Sequence, residues 1–436
     1  MFVHREEQYQ DMMGRLYPEF SAEGGGNTME ITFQVTNACS LACSYCYQIN
    51  KGQKVMPFEY AKEFIDNLFE GKYKNYVSEE TKPFLILSFI GGEPFLQPTL
   101  IEQICDYFYN KAIERMSPWA ERSRISVCTN GVHWFEPEVQ HFLNKYQNKM
   151  FISVTIDGNK ELHDACRRFP DGRPSYDLAL AAATDWVNRG GYIGSKITIA
   201  PANLKYMNDA IRHFVELGYE NIHANTVYEE GWTIDDARTY YVLLKEIADY
   251  FYDNELVEKV YLSLFEQMHG RPKRPDDLQT WCGGVGNHML AMDPDGNLYP
   301  CLRYMDSSLG TDQEPLIIGT IWDGIGKREK DKAWIECLSC ITRRTESTDE
   351  CFFCPIAEGC GECSAYNYQV SGTPDCKATF MCDMHKARML ANTYFWNRWY
   401  RKKGLNERIP VYCPDEWALE IISEEELNML KDLAQF

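Results

Sequence analysis

The 436-residue chain is predicted to be an α/β protein organised on a parallel sheet, and three observations lead there. Between residue 30 and about 228, short β-rich runs alternate six times with amphipathic helical runs. Such alternation requires crossover helices and a parallel sheet, either open or partly closed into a barrel. The first β-rich run is followed at once by a cysteine-bearing loop, at the carboxyl end of a strand, where ligands gather in such sheets. Beyond residue 282 the pattern gives way to a cysteine-rich region with the marks of a second, smaller unit.

In order, the expected strands are Glu30–Thr36, Phe84–Ile90, Arg124–Thr129, Met150–Ile156, Ser195–Ala200 and Asn221–Thr226. The helical runs between them are Pro57–Glu70, Thr99–Arg115, Pro137–Lys145, Tyr176–Arg189 and Leu204–Leu217. Residues 233–270 read as helical and connecting. After the cysteine-rich segment come an aromatic and basic run, Tyr394–Lys403, and an acidic tail helix. The expected units are an N-terminal extension (1–29), the β/α part (30–232), a helical connection (233–281), the cysteine-rich part (282–390) and a helical tail (391–436). No internal repeat or low-complexity segment is present.

A net charge of −20 and a pI near 5 argue against a nucleic-acid binder, which carries a basic face. The start, Met1-Phe-Val-His-Arg-Glu-Glu, has no apolar signal core, and no apolar run approaches membrane-spanning length. A cytoplasmic protein with no membrane partner is the expectation. Seventeen cysteines then point to metal or redox chemistry rather than a disulfide framework. Six lie from Cys39 to Cys166 and eleven from Cys282 to Cys413.

The densest group is Cys39-x3-Cys43-x2-Cys46, with Tyr45 just before the last thiol. Structural zinc wants four closed ligands, whereas three clustered thiolates suit a [4Fe–4S] cluster with one iron left open. This loop resembles that of radical S-adenosylmethionine (AdoMet) enzymes, in which the open iron is chelated by the amino and carboxylate groups of AdoMet. The resemblance implies a partial (β/α)6 TIM-like barrel. It assigns Gly91-Gly92-Glu93-Pro94 to the AdoMet amino group, and Thr129-Asn130-Gly131, Ser153 and Thr155–Gly158 (with Asp157) to its ribose and carboxylate. Asp157-Gly-x4-His163-Asp164-x2-Arg167 is a family pattern in which Arg167 pairs with the AdoMet carboxylate, a group a guanidinium grips through two bonds. The plain alternative is a helix start with Arg167 in a surface salt bridge. Tyr45 would stack on or shield the adenine; otherwise it packs the loop.

The second array is Cys282, Gly296-x4-Cys301, Cys351-x2-Cys354-x5-Cys360-x2-Cys363 and Cys382. Asp293-Pro-Asp-Gly296 reads as a tight turn that folds Cys301 back towards Cys282. The spacing resembles the SPASM domain of radical AdoMet enzymes, apart from two residues rather than three before Cys363. By that resemblance Cys351, Cys354, Cys360 and Cys382 hold one auxiliary [4Fe–4S] cluster. Cys282, Cys301 and Cys363 hold another, with an iron that is open or is closed by Cys337 or Cys340. Three clusters and AdoMet are thus the implied cofactors. Without the N-terminal motif the array would read as a zinc ribbon, a non-catalytic interaction protein. Cys105, Cys128 and Cys166 are expected to be small buried residues; Cys376 is a further open candidate for the auxiliary cluster, and Cys413 has no assigned part.

The resemblance, over about residues 30–390, is to maturases of ribosomally made, cysteine-containing peptides. It implies a radical enzyme that cross-links a precursor peptide, as a cysteine thioether, supplied with electrons by a flavodoxin- or ferredoxin-type donor. A sulfatase-maturing, formylglycine-forming enzyme is the alternative; it needs a base, for which Asp293, Asp295 and Asp306 are the candidates. Only 38 residues precede Cys39, against the roughly 80 of a small leader-recognition domain. The leader is therefore expected to use another surface, a separate protein or no dedicated module. Residues 394–403 are one candidate surface, with a helix packed on the core as the alternative.

Overall fold

The computed structural model describes residues 28–191, 195–229, 231–280, 282–310 and 312–435; most of the expected N-terminal extension lies outside them. All six expected strands form: Thr28–Thr36 (β1), Phe84–Gly91 (β2), Ser123–Thr129 (β3), Met150–Val154 (β4), Ser195–Ile199 (β5) and Asn221–Thr226 (β6). The first four lie side by side and parallel, as do β5 and β6. The crossover helices are Phe58–Phe69 (α1), Pro98–Glu114 (α2), Pro137–Tyr146 (α3), Lys160–Cys166 (α4), Tyr176–Asn188 (α5) and Met207–Glu216 (α6). Sequence periodicity misses α4, a helix of two turns with no apolar stripe of its own.

Strand alternation builds two faces. Met29, Ile31, Phe33 and Val35 of β1 are fully buried against the helices, with Phe33 stacked on Phe89 at 5.5 Å and edge-on to Phe64 at 5.6 Å. Thr32 and Gln34 point the other way, as do Ser126 and Cys128 of β3. Cys128 corrects an expectation: it is exposed, because its neighbours Val127 and Thr129 take the helix face. Cys105 and Cys166 are buried as expected.

Two features differ from a simple six-strand series. No pairing joins β4 to β5; β5 and β6 form a separate small sheet with Tyr261–Leu262 (β7). The break follows Val154, where the chain leaves the ladder and Asp157 turns inward to the cysteine loop. The free edge of β1 is also paired, in parallel, with Met289–Met292 (β8), which continues through Asn297–Tyr299 (β9), Gly319–Thr320 (β10) and Gly324–Ile325 (β11). The cysteine-rich segment therefore extends the main sheet. A four-residue apolar run carries too little pattern to announce this, yet it covers an otherwise open edge.

A helix at Ile234–Asp253 (α7) packs against the long helix Cys382–Lys403. The aromatic and basic run falls within that long helix, with Tyr394, Phe395 and Tyr400 built into the core and Arg401, Lys402 and Lys403 exposed. Phe395 stacks on Phe265 at 4.2 Å, and the Tyr394 hydroxyl donates to Asp249 at 2.7 Å. Among the described residues no helix is long and apolar enough to cross a membrane.

Candidate active site

The loop after β1 carries Cys39, Cys43 and Cys46, all partly buried. Backbone bonds seat it: Ala42 N–H donates to Arg168 O at 2.7 Å and Ser44 N–H to Cys166 O at 3.0 Å. Burial pushes the Cys43 thiol up to about 11, and Cys46 and Cys39 add to this while Arg167 opposes it. Burial raises Cys39 as well, and thiols crowded on one loop are a donor set suited to a cationic core.

The turn after β2 presses on this loop. A Cβ on Gly92 would lie 2.2 Å from Ala38 O and 2.7 Å from the Cys39 Cβ, so only glycine fits. Glu93 is 1 % exposed and engaged on both oxygens, accepting from the Thr129 hydroxyl (2.6 Å), Asn130 N–H (2.8 Å) and Phe95 N–H (3.0 Å). It binds β2 to the end of β3, and Asn130 in turn reaches Ser40 at 3.2 Å. Pro94 opens the short turn that follows.

Asp157, fully buried, anchors the opposite wall. Its Oδ2 receives the Arg167 Nε at 2.9 Å and the Tyr45 hydroxyl, while Arg167 lies over the Tyr45 ring at 5.4 Å and 3.7 Å from the Cys43 sulfur. Arg167 is thus in a salt bridge, but a buried one rather than a surface one, and the Tyr45 hydroxyl is held by the same carboxylate. His163 is buried beneath, bonded to Ser175 at 3.1 Å, and burial holds it down at about 4. Asp164 accepts from Ser175 N–H and Tyr176 N–H. Three polar atoms around the loop, Asn37 Oδ1, Gln48 Nε2 and Asp157 Oδ1, are buried without a protein partner. Such atoms are normally satisfied, so the pocket fits a polar ligand. Ser153 sits on β4 opposite Cys128, and Cys128 lies 3.8 Å from the Thr155 hydroxyl.

The second array surrounds adjoining cavities, one of which Cys363 shares with Cys351, Cys360 and Cys382. Cys351, Cys354, Cys360 and Cys382 all line one cavity of about 290 Å³, with Lys377 and Glu362 in its wall. The protein enclosing Cys382, then the thiols of Cys360 and Cys351, push it up to about 12. Cys282, Cys301 and Cys363 form the other set: burial raises Cys301, with Cys282 and Cys363 adding to it, and Cys282 lies 3.2 Å from the Ser364 hydroxyl. Cys337 has Asp375 and Cys340 as its ionisable neighbours instead. Among the described residues, no three His, Cys, Asp or Glu side chains converge on a point able to hold a single ion.

Two tyrosines that sequence reasoning passed over occupy the gaps. Tyr47, 38 % exposed on the first cysteine loop, has the Arg303 guanidinium over its ring at 5.2 Å, which sets it beside the segment that carries Cys301. Tyr228 is pushed up to about 12 by burial, then by Cys363, Cys360 and Glu362, which places it between the two auxiliary sets. An aromatic next to Cys46 was a visible signal for Tyr47; Tyr228 had none. Of the three carboxylates considered as bases, Asp293 is built into its turn, accepting from Asn297 and Tyr299, and Asp295 pairs with Lys54. Asp306 is exposed, with Asn50 holding its carbonyl at 2.7 Å.

Residues 22–168 match the family described as a 4Fe-4S single cluster domain. A serine-type anaerobic sulfatase-maturating enzyme of Bacteroides thetaiotaomicron is 26 % identical over 209 residues, 46 % of each chain. The radical SAM cyclopropyl synthase TigE of Paramaledivibacter caminithermalis is 23 % identical over 300 residues, 64 % of this chain and 58 % of that one. These matches span about half the length of the two relatives. A solved structure described as native anSMEcpe with bound AdoMet and Kp18Cys peptide shares the fold with a TM-score of 0.59 and 17 % identity, covering 84 % of this chain and 97 % of that one.

Proposed function

We propose that this chain, a radical AdoMet enzyme with a SPASM-type cysteine-rich region, matures a ribosomally made precursor peptide by joining a cysteine sulfur to a carbon as a thioether. The observation that carries the reading is that the first loop meets the segment of Cys301: the Arg303 guanidinium, two residues beyond Cys301, lies over the ring of Tyr47, one residue beyond Cys46, at 5.2 Å, and Asn50 holds the Asp306 carbonyl at 2.7 Å. A carbon attacked at the first loop and a sulfur held at the second set would share one chamber.

Cys39, Cys43 and Cys46 would hold the AdoMet-binding cluster, and the auxiliary sets two further [4Fe–4S] clusters. When bound and reduced by a flavodoxin- or ferredoxin-type donor, AdoMet supplies a 5′-deoxyadenosyl radical, which removes an unactivated hydrogen. Within this chain, Gly92 allows the loop to close on the ligand. Glu93 fixes the ends of β2 and β3, and Asp157 keeps Arg167 beside Cys43. The open Oδ1 of Asp157 and Asn37 Oδ1 offer acceptors to the ligand's hydroxyl or ammonium groups. Cys282, Cys301 and Cys363 leave a position for the substrate sulfur, where it would be poised as thiolate.

A second reading, formylglycine formation, is favoured by one observation: Asp306 remains exposed on the loop beyond Cys301. The two readings separate in one experiment. Anaerobic incubation with AdoMet, reductant and short cysteine-containing peptides is expected to give a product lacking two hydrogens, with its thiol resistant to alkylation. An aldehyde that reacts with a hydrazide, lost in Asp306→Asn, would instead establish the second reading.

A further inference from the structure

Cations flank each cysteine set, Lys51 at the first loop and Lys386 in the cavity of Cys382 among them, and three stand out: Arg167 at 3.7 Å from Cys43, Lys377 in the wall shared with Cys351 and Cys360, and Arg303, two residues beyond Cys301. Two of these are neutralised by well-buried acids. Arg167 pairs with Asp157, whose side chain is 0 % exposed, and Lys377 lies 3.1 Å from Glu362, 4 % exposed. Arg303 differs. Its partner at 2.9 Å, Glu229, is 42 % exposed, while Arg303 itself is 20 % exposed. Water screens Glu229 far more than it screens Arg303, so the pair leaves net positive charge beside the thiols.

The position of Arg303 is built from three parts of the chain. It follows Cys301 by two residues, in the short turn Leu302–Tyr304 that Cys301 opens. Its guanidinium lies over the Tyr47 ring at 5.2 Å, a ring carried by the first cysteine loop. Glu229 comes from the segment after β6.

Resting on the cluster assignment proposed above, we propose that Arg303 sets the reduction potential of the cluster held by Cys282, Cys301 and Cys363, with Glu229 as its partial counter-charge. Adding one electron makes such a cluster more negative, and a nearby cation favours that form; charge and hydrogen bonds to sulfur are the established means of tuning it. In turnover the balance is complete. The substrate C–H hydrogen goes to the deoxyadenosyl radical, the cysteine gives up its thiol proton, the C–S bond forms, and one electron is left for this cluster. Arg303 makes that last transfer downhill.

The test is an EPR-monitored redox titration of anaerobically reconstituted protein, with no peptide. Arg303→Gln is expected to lower the potential of this cluster, shifting the reduced-to-oxidised ratio at fixed potential about tenfold, or about 59 mV for one electron. Glu229→Gln, a surface change that leaves Arg303 in place, is expected to raise it, and Arg303→Lys to restore most of the loss. The cluster at Cys351, Cys354, Cys360 and Cys382 serves as internal reference and should not move. A purely structural role would move both variants the same way or not at all, and either result overturns the inference; should Arg303→Gln fail to fold, the sign of Glu229→Gln decides. Wild-type protein with too few clusters to titrate would instead overturn the cluster assignment itself.

Discussion

The two cysteine-bearing regions achieve their thiol groupings in opposite ways. The first packs Cys39, Cys43 and Cys46 into eight residues of one loop, and the strand ends around it supply orientation through Glu93, Asn130 and Asp157. The second draws seven thiols from Cys282 to Cys382 and sorts them by tertiary folding into a ring of four and a set of three. A local motif fixes which atoms meet before the chain folds. A dispersed one fixes it only afterwards, so its function depends on packing as much as on ligands. The two regions should therefore fail differently.

The largest effect is expected from Cys39→Ala, Cys43→Ala and Cys46→Ala together. Production of 5′-deoxyadenosine should fall below detection while about eight of about twelve irons per chain remain, since the auxiliary ligands lie elsewhere. Chromatography and iron analysis check both halves, and persistent 5′-deoxyadenosine would remove the first loop from its role.

Asp157→Ala comes next. It strands the charge of Arg167 in a half-buried site, and losing one partner of a buried pair costs about 3–5 kcal/mol. Denaturant unfolding should show that loss; a change under 1 kcal/mol, on the order of an exposed ion pair, would mean that Arg167 finds water instead. Gly92→Ala forces a methyl group against Ala38 O, an overpacking cost of about 1–3 kcal/mol. It should depress AdoMet cleavage while sparing the auxiliary clusters' EPR signals. Equal loss of all three signals would show that the two regions are not independent.

A smaller effect is pH-dependent. His163 is buried and neutral, with its folded value near 4 below the ordinary 6.5. Because the unfolded chain binds that proton first, the stability His163 contributes is fully present above pH 6.5 and drains away as pH falls towards 4. His163→Gln should flatten that part of the profile, and an unchanged slope would place the acid sensitivity elsewhere. Smallest of all is Cys337→Ser, outside both thiol sets and expected to change stability by no more than about 0.5 kcal/mol. Loss of about four irons in that variant would make Cys337 a ligand after all.

These differences also explain what was legible beforehand. Six strands and the first loop could be read because alternation and close spacing are local signals. Period two should equally have exposed Cys128, but a cysteine in an apolar run reads as core until the strand's faces are assigned. The pairing of Arg167 with Asp157 rather than outward, the addition of β8 to the edge of β1, and the positions of Tyr228 and Arg303 are tertiary facts. They join residues far apart in sequence, and none leaves a periodic trace. The division of the seven later cysteines came from family resemblance; Cys351, Cys354, Cys360 and Cys382 line one cavity, and Cys363 shares a neighbouring one with three of them, so the split between the sets is a proposal.

The central claim is that one chain holds an AdoMet-cleaving loop and two auxiliary thiol sets, one with a position left for substrate sulfur. The most direct measurement is Mössbauer spectroscopy with iron and zinc analysis on anaerobically reconstituted protein, before and after a cysteine-containing peptide is added. The account predicts about twelve irons per chain in three four-iron clusters, no stoichiometric zinc, and a spectral change at one iron of the Cys282, Cys301 and Cys363 cluster that a Cys-to-Ser peptide does not produce. About four irons, stoichiometric zinc, or a spectrum indifferent to the peptide would contradict it.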